Sequence, residues 1–411
     1  MTAPDVGGAV GSAVAVRDAV VLGPPLVQGR AAVHFLHDRT TGAYYRIGAR
    51  EALIVEGLLD GLDLAGAQDR YRERYGSPVP DDVLVAFLSR MAQRGLLVGA
   101  SPSVLAGIAE RTTAERGRRT LLRARLPVPA LGRGVRALAP RLRWTVAPVP
   151  LLLGSVLGTV VVAWTLAHLD QILATPRSGP AAVGIAVLLV LSLGVHELFH
   201  GVACVRYGGT PREVGVMWRA PIVAAFCSID DVVVFRRTAD RVVTAYAGTY
   251  ANLVTMPVVW LAWTFTPPGH VLHAVAAGCL LMGSVVVIVN LVPVFGLDGY
   301  RMIEHATGTY GLQSSAFAYV GERLRSRCPS LPRRLAGLYW SYAALYTAIV
   351  GTGAVVLVVV WWQTLAGLWG PLASTAFLTA EALVVLVLAG WWRSARRRSA
   401  AAASPSQVRV S

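Results

Sequence analysis

Two histidines and a glutamate stand inside a long apolar segment, in an order that can bind a metal ion and use it. His196 and His200 are four residues apart, and Glu197 directly follows the first of them. In a helix this spacing puts both imidazoles on one face, where both can ligate one tetrahedral ion. A bound Zn²⁺ lowers the pKa of its water to about 7, and the neighbouring carboxylate can take the proton. The pattern predicts a hydrolytic zinc site, with a pair of core histidines beside a glutamate as the plain alternative.

A third protein ligand is expected, because a catalytic zinc site normally holds three of them and a water. Asp298 lies just beyond a later apolar run, VVIVNLVPVFGLDG. Pro293 is expected to end that helix, and Gly299 permits an unusual backbone angle after the ligand. Irregular backbone at this depth is expected to line a cavity instead of facing lipid.

The elements that must position these residues are membrane-spanning helices. A hydrocarbon core of about 30 Å needs about 20 helical residues. Six segments are long and apolar enough: 147–168, 181–205, 245–265, 271–293, 336–361 and 372–392. Arginines gather before the first segment, in every second loop and after the last segment. Since cytoplasmic flanks carry the Lys/Arg excess, the sequence predicts a multi-pass protein of the cell membrane with both termini in the cytoplasm.

The formal net charge of +15 is explained by this topology. No recognisable nucleic-acid-binding module accompanies the arginines, so nucleic acid is not an expected partner. By the same topology, the HELFH segment and Asp298 both lie near cytoplasmic ends of their helices, and they can meet at one depth.

HELFH in one span and NLVPVFGLDG two spans later resemble the site-2 protease family (M50) of intramembrane zinc metallopeptidases, over about 181–303. The resemblance implies an α-helical polytopic membrane protein with a site-2 protease core. It implies that His196, His200 and Asp298 bind one zinc ion and that Glu197 is the catalytic base.

The span between these motifs contains AGTYANL, which resembles the family's glycine and asparagine pattern with Thr249 where proline is common. On this resemblance Asn252 and Asn290 are candidates for orienting the substrate or stabilising an oxyanion, with helix-to-helix hydrogen bonding as the alternative. Short β-prone runs within 210–244 predict a hairpin beside the site. That hairpin either holds an extended substrate or is a plain packed loop.

The residues ahead of the first span have a different composition. VHFLHDRTTGAYYRIG predicts a β-hairpin, and three helical patterns and a short strand follow. Together with LLDG and FLSRMAQRGLLV, this hairpin resembles the PqqD-like domain, a small α+β winged-helix-like fold. That family recognises the leaders of ribosomally made, modified peptides. The resemblance implies that a leader adds as a strand to the hairpin edge, at Val33, His34, Phe35 and Leu36. A structural cap is the alternative.

The predicted organisation is a disordered N-terminus at 1–19, a leader-recognition domain at 20–99, a basic linker at 100–146, a six-span metallopeptidase domain at 147–392 with its core at 181–303, and a basic cytoplasmic tail at 393–411. The linker is expected to lie on anionic lipid and to act as a flexible tether that raises the local substrate concentration.

The combination resembles the intramembrane metalloproteases of daptide-type peptide biosynthesis. It implies a zinc endopeptidase that removes the leader from a precursor peptide, with membrane lipid and other pathway enzymes as further partners. Two other functions stay open. One is a regulatory site-2-type protease that cleaves a membrane-tethered transcription regulator. The other is a non-catalytic immunity or export partner, against which the intact Glu197 argues.

Overall fold

The described residues of this computed structural model are 14–116, 123–176, 178–219, 222–325, 330–381 and 383. The chain divides into two compact units, Met1–Tyr339 and Trp340–Ser411. The first unit contains the amino-terminal domain and the predicted metal site. The second contains most of the last long helix and a helical stretch at 371–381.

The amino-terminal sheet is built around one central strand. Its strands are β1 (Val20–Leu22), β2 (Leu26–Gln28), β3 (Ala31–Asp38) and β4 (Tyr44–Gly48). Strands β1 and β2 pair end to end along one side of β3, and β4 pairs along the other side. The Asp38 carboxylate accepts hydrogen bonds from the Thr40 amide and the Thr41 hydroxyl, which closes the turn of the predicted hairpin.

The two faces of this sheet pack against different partners. Its helices α1 (Ala49–Leu59), α2 (Leu64–Tyr75) and α3 (Asp81–Gln93) cover one face, where Leu36 and Ile47 are buried. On the other face, Val33 and Phe35 pack against Val234 of the membrane-side part of the chain.

The amino-terminal domain is therefore docked, and the prediction of a flexible tether is corrected. The Val27 amide donates to the Gly308 carbonyl at 2.8 Å, and the Tyr339 hydroxyl donates to the Gly29 carbonyl at 2.7 Å. The 100–146 segment is also more structured than a linker. It forms α4 (Pro102–Arg116), β5 (Arg123–Pro127) and α5 (Pro129–Leu142).

Five helices of the described part are long and apolar enough to cross a membrane: α6 (Pro148–Ala167), α8 (Gly179–Arg206), α9 (Thr238–Phe265), α10 (Val271–Leu291) and α13 (Arg333–Trp369). They coincide with the first five predicted spans. Of the sixth, 372–392, all residues after 381 except 383 lie outside the described residues. The short α7 (Leu169–Ala174) follows α6.

Helix α9 lies at the centre of the membrane part, in contact with α6, α8 and α10. Close helix approach requires small residues at the crossing. A side chain at Gly158 of α6 would stand closer than 3.0 Å to the Leu253 backbone of α9. Two further helices, α11 (Asp298–Ala306) and α12 (Leu312–Leu324), follow α10, and α11 packs against α9.

The predicted hairpin within 210–244 is formed by β6 (Val214–Arg219) and β7 (Ile222–Cys227). Strand β5 pairs with the other side of β6, so the sheet has three strands in the order β5, β6, β7. A short 3₁₀ helix, Asp230–Val234, leads from β7 to α9. The predicted linker thus supplies one strand of the sheet beside the metal site.

Candidate metal centre

Three side chains from two helices converge into one cluster. His196 and His200 project from the same face of α8, and Asp298 is the first residue of α11. The two Nε2 atoms are 3.3 Å apart, and they lie 3.5 and 3.4 Å from the Asp298 carboxylate oxygens. A tetrahedral zinc ion with bonds of about 2.0–2.2 Å needs ligand atoms about 3.3–3.5 Å apart. The cluster therefore has the spacing of a metal site and contains two buried imidazoles.

Each imidazole has a polar partner at Nδ1, and both Nε2 atoms face Asp298. His200 Nδ1 lies 2.9 Å from the Thr244 carbonyl, which can only accept, so Nδ1 carries the proton. His196 Nδ1 lies 3.1 Å from the side-chain amide of Asn252. The amide nitrogen of Asn252 faces the ring and donates to Nδ1, and the amide oxygen accepts from the Ser192 hydroxyl at 3.3 Å.

Asp298 is held by Thr249 of α9. The Thr249 amide and hydroxyl both donate to Asp298 Oδ2, at 3.2 and 2.7 Å. Burial alone would raise the pKa of the Asp298 carboxyl, but His200, His196 and Thr249 together hold it below its ordinary value. Asp298 is thus kept as an anion, which is the form that ligates a metal.

The backbone around Asp298 differs from the prediction. The unusual angles fall at Phe295 and Gly296, with φ of 57° and 81°, and not at Gly299. Gly299 is a glycine for another reason, because a Cβ there would stand closer than 3.0 Å to the Leu291 backbone. This close approach brings the start of α11 back against the end of α10.

Helix α9 passes directly over the imidazoles. Its Gly248 has no side chain to fill the space beside their Nε2 atoms. A Cβ at Gly248 would stand closer than 3.0 Å to Nε2 of both His196 and His200. Gly248 therefore leaves room at the position where the two ligand atoms face a metal ion.

Glu197 lies beside the cluster without belonging to it. It lines a cavity of about 460 Å³ together with His200 and Asp298, and its carboxylate accepts a hydrogen bond from the Cys227 amide of β7. A carboxylate in this position can receive a proton from a water at the cluster.

The two asparagines predicted as substrate groups have different positions. Asn252 is buried and contacts His196, so it orients a ligand of the cluster. Asn290 is half-buried at the end of α10 and does not line the cavity that contains Glu197. Thr244 and Thr249 were not predicted. Thr244 contributes its backbone carbonyl, which its residue type does not predict. Thr249 occupies the position at which AGTYANL departs from the pattern that it resembles, and that departure was the available signal.

The four predicted leader-binding residues do not form a free strand edge. Val33, His34, Phe35 and Leu36 lie in β3, which is paired on both sides. His34 Nδ1 bonds to the Gly23 carbonyl at 3.0 Å, and the other three side chains are buried. The free edge of this sheet is instead the outer side of β4, since no strand of the described part pairs with it.

Comparisons with known proteins add no relative: no protein-family model matches the chain, and no curated protein or solved structure matches it.

Proposed function

We propose that this chain is a membrane-embedded zinc endopeptidase that removes the leader from a ribosomally synthesised precursor peptide. The observation that carries the proposal is the convergence of His196, His200 and Asp298 beside a cavity that His200, Asp298 and Glu197 line together. Two imidazoles and a carboxylate would hold the zinc ion. When bound, the zinc would supply Lewis acidity and lower the pKa of a water at the site. Glu197 would take the proton of that water and return it to the leaving amine.

The cavity supports a peptide as the substrate. Strand β7 is an edge strand, and Ala225, Phe226 and Cys227 at its end line the cavity that contains Glu197. An extended peptide paired with the outer side of β7 would bring a carbonyl next to the metal cluster. We therefore assign β6 and β7 a substrate-holding role.

The amino-terminal domain supports a leader-bearing peptide over a transmembrane regulator. Between β4 and α3 lies a cavity of about 230 Å³. Phe87 and Met91 contribute apolar surface to it, and three arginines against one glutamate, Glu51, give it a net positive charge. Such a groove suits an extended peptide with a large apolar anchor and acidic neighbours. A purely regulatory protease would not need it.

The membrane arrangement belongs to the same proposal. Six spans and two cytoplasmic termini would place the cluster, near the Arg206 end of α8, close to the cytoplasmic surface. A soluble precursor made in the cytoplasm would reach the cavity without crossing the bilayer.

The decisive experiment compares wild type with Glu197→Gln. Purified protein is incubated with short peptides encoded beside its gene and with a proteome-derived peptide library, and new peptide termini are read by mass spectrometry. We expect wild type to cleave and Glu197→Gln to bind as much zinc but to release no product. Glu73→Gln, which changes an exposed glutamate of α2, is the matched control and should cleave like wild type.

Cleavage that persists in Glu197→Gln would contradict the role of that residue. Zinc-loaded wild type that binds peptides but cleaves none would favour the non-catalytic immunity or export partner.

A further inference from the structure

The cavity of the metal centre has a wall made by the amino-terminal domain. Phe35 of β3 and Tyr44 of β4 line it together with Glu197 and His200. Two parts of the chain that are more than 150 residues apart in sequence thus enclose one space.

Buried polar contacts fix this wall in place. The Tyr44 hydroxyl donates to the Asp231 carboxylate, which also accepts from the Thr210 amide at 2.6 Å. His37 Nδ1 lies 3.1 Å from the same carboxylate, and its ring stacks on Tyr44 at 4.2 Å. Because Asp231 belongs to the 3₁₀ helix that also lines the cavity, a shift of β4 would shift the cavity wall.

Apolar contacts also fix this wall in place. Phe35 packs against Tyr310 with ring centroids 4.7 Å apart and shares a buried cluster with Val234. An interface of buried apolar and hydrogen-bonded polar groups holds a fixed geometry, unlike a tether. The distance from β4 to the metal cluster is therefore set by the fold.

Three cavities that share lining residues follow one another along β4 towards the metal cluster. The cavity between β4 and α3 is followed by a second one of about 270 Å³, and Arg94 lines both. Tyr44 lines the second cavity and also the metal cavity. A peptide that lies along the outer edge of β4 is led past Tyr44 towards Glu197.

The direction of β4 sets the direction of the peptide. The strand begins at Tyr44, which lines the metal cavity, and ends at Gly48, which does not. Only a peptide antiparallel to β4 sends its carboxyl-terminal side into the metal cavity, and a leader precedes the bond at which it is removed. Antiparallel pairing is also the pattern of the rest of this sheet.

We infer that the amino-terminal domain is a ruler: it binds the leader antiparallel to β4 and so fixes the scissile bond at a constant, short distance on the carboxyl-terminal side of the recognised segment. This inference rests on the proposed function and specifies its cleavage site. Three inserted residues lengthen an extended peptide by about 10 Å. If the leader stays at β4, an extension of this length displaces the original bond from the metal cluster, so the insertion is expected to move the bond that is cut.

The test uses the peptide that wild type cleaves best in the preceding experiment. Alanine scanning locates its recognised segment, and three residues, Gly-Ser-Gly, are inserted between that segment and the scissile bond. We expect the new cut three residues to the amino-terminal side of the original bond. As a control, the same insertion placed beyond the scissile bond should leave the cut unchanged.

Photocross-linking tests the direction independently. In the Glu197→Gln background, p-benzoylphenylalanine replaces exposed Arg46 of β4 or half-buried Val233 of the metal cavity. We expect the Arg46 probe to label the recognised segment and the Val233 probe to label residues nearer the scissile bond on its carboxyl-terminal side.

An inserted peptide that is still cut at its original bond, or labels in the opposite order, would overturn the ruler while leaving the peptidase intact. Failure of wild type to cleave any peptide would instead overturn the proposed function, and the ruler with it.

Discussion

At the scale of single residues, the candidate metal centre depends on the lack of a side chain at position 248. The methyl group of Gly248→Ala would stand closer than 3.0 Å to both Nε2 atoms, in the space that a metal ion needs. We expect the variant to fold but to bind zinc more than about 100-fold more weakly, beyond the 10–100-fold loss typical of a residue that only supports a ligand. Zinc content after dialysis against a chelator measures this.

The control for that variant is Gly194→Ala on α8, where a Cβ meets nothing within 4 Å. It should retain the zinc of the wild type. Equal zinc in the two variants would show that α9 does not crowd the ligands and would contradict the assigned geometry.

The residues that were predictable are those whose geometry is local. The i, i+4 spacing of His196 and His200 places two imidazoles on one helix face whatever surrounds them. The support around the cluster was predictable only in part, because it depends on how α9 packs against α8 and α11. Asn252 was a candidate for substrate contact or for a helix-to-helix hydrogen bond, and it makes the latter with His196. Thr249, which reaches Asp298 from α9, was not predicted. A single sequence gives no spacing rule for such contacts.

At the scale of elements, the hairpin of β3 and β4 was predictable because its turn residues and β-prone runs are adjacent in sequence. Its free edge was not. Strands β1 and β2 have only three residues each, too few for a periodic pattern, yet they occupy the side of β3 on which leader binding was expected. Strand β5 was not predicted either, because its segment has the composition of a basic linker.

The junction between β3, β4 and the 3₁₀ helix gives a pH prediction. Arg212 can only donate, so its 2.9 Å contact with His37 Nε2 requires a neutral imidazole that donates from Nδ1 to Asp231. Burial, with Arg212 and Arg39, lowers the pKa of His37 from 6.5 to about 4, despite the opposing effect of Asp231. The unfolded chain therefore takes up this proton at a higher pH than the folded chain.

The folded chain is thus expected to lose stability as the pH falls from 6.5 towards 4. His37→Gln should flatten this part of the dependence, measured as the midpoint of thermal unfolding at several pH values in detergent. His270→Asn changes an exposed histidine in the loop before α10 and should leave the dependence as in the wild type. An unchanged slope in His37→Gln would show that this histidine is not the group that titrates.

At the scale of the whole molecule, the apolar spans were predictable from length and composition, whereas the docking of the amino-terminal domain was not. The docking surface joins Phe35 to Tyr310, and such a contact leaves no mark in local periodicity. The linker composition suggested a flexible connection, but the docking contacts are made by other parts of the chain. The sequence alone therefore did not predict that the amino-terminal domain lines the cavity of the candidate metal centre.

The predicted topology places the docked domain and the metal cluster on the cytoplasmic side. Single cysteines at exposed positions test it: Ser77→Cys before α3 and Pro268→Cys in the short loop between α9 and α10. With a membrane-impermeant maleimide, and with the labelling of the unsubstituted chain subtracted, we expect Pro268→Cys to react in intact cells. Ser77→Cys should react only after permeabilisation, when both should label to a similar extent. The reverse pattern would open the cavity to the outside of the cell, where a precursor made in the cytoplasm could not reach Glu197 without export.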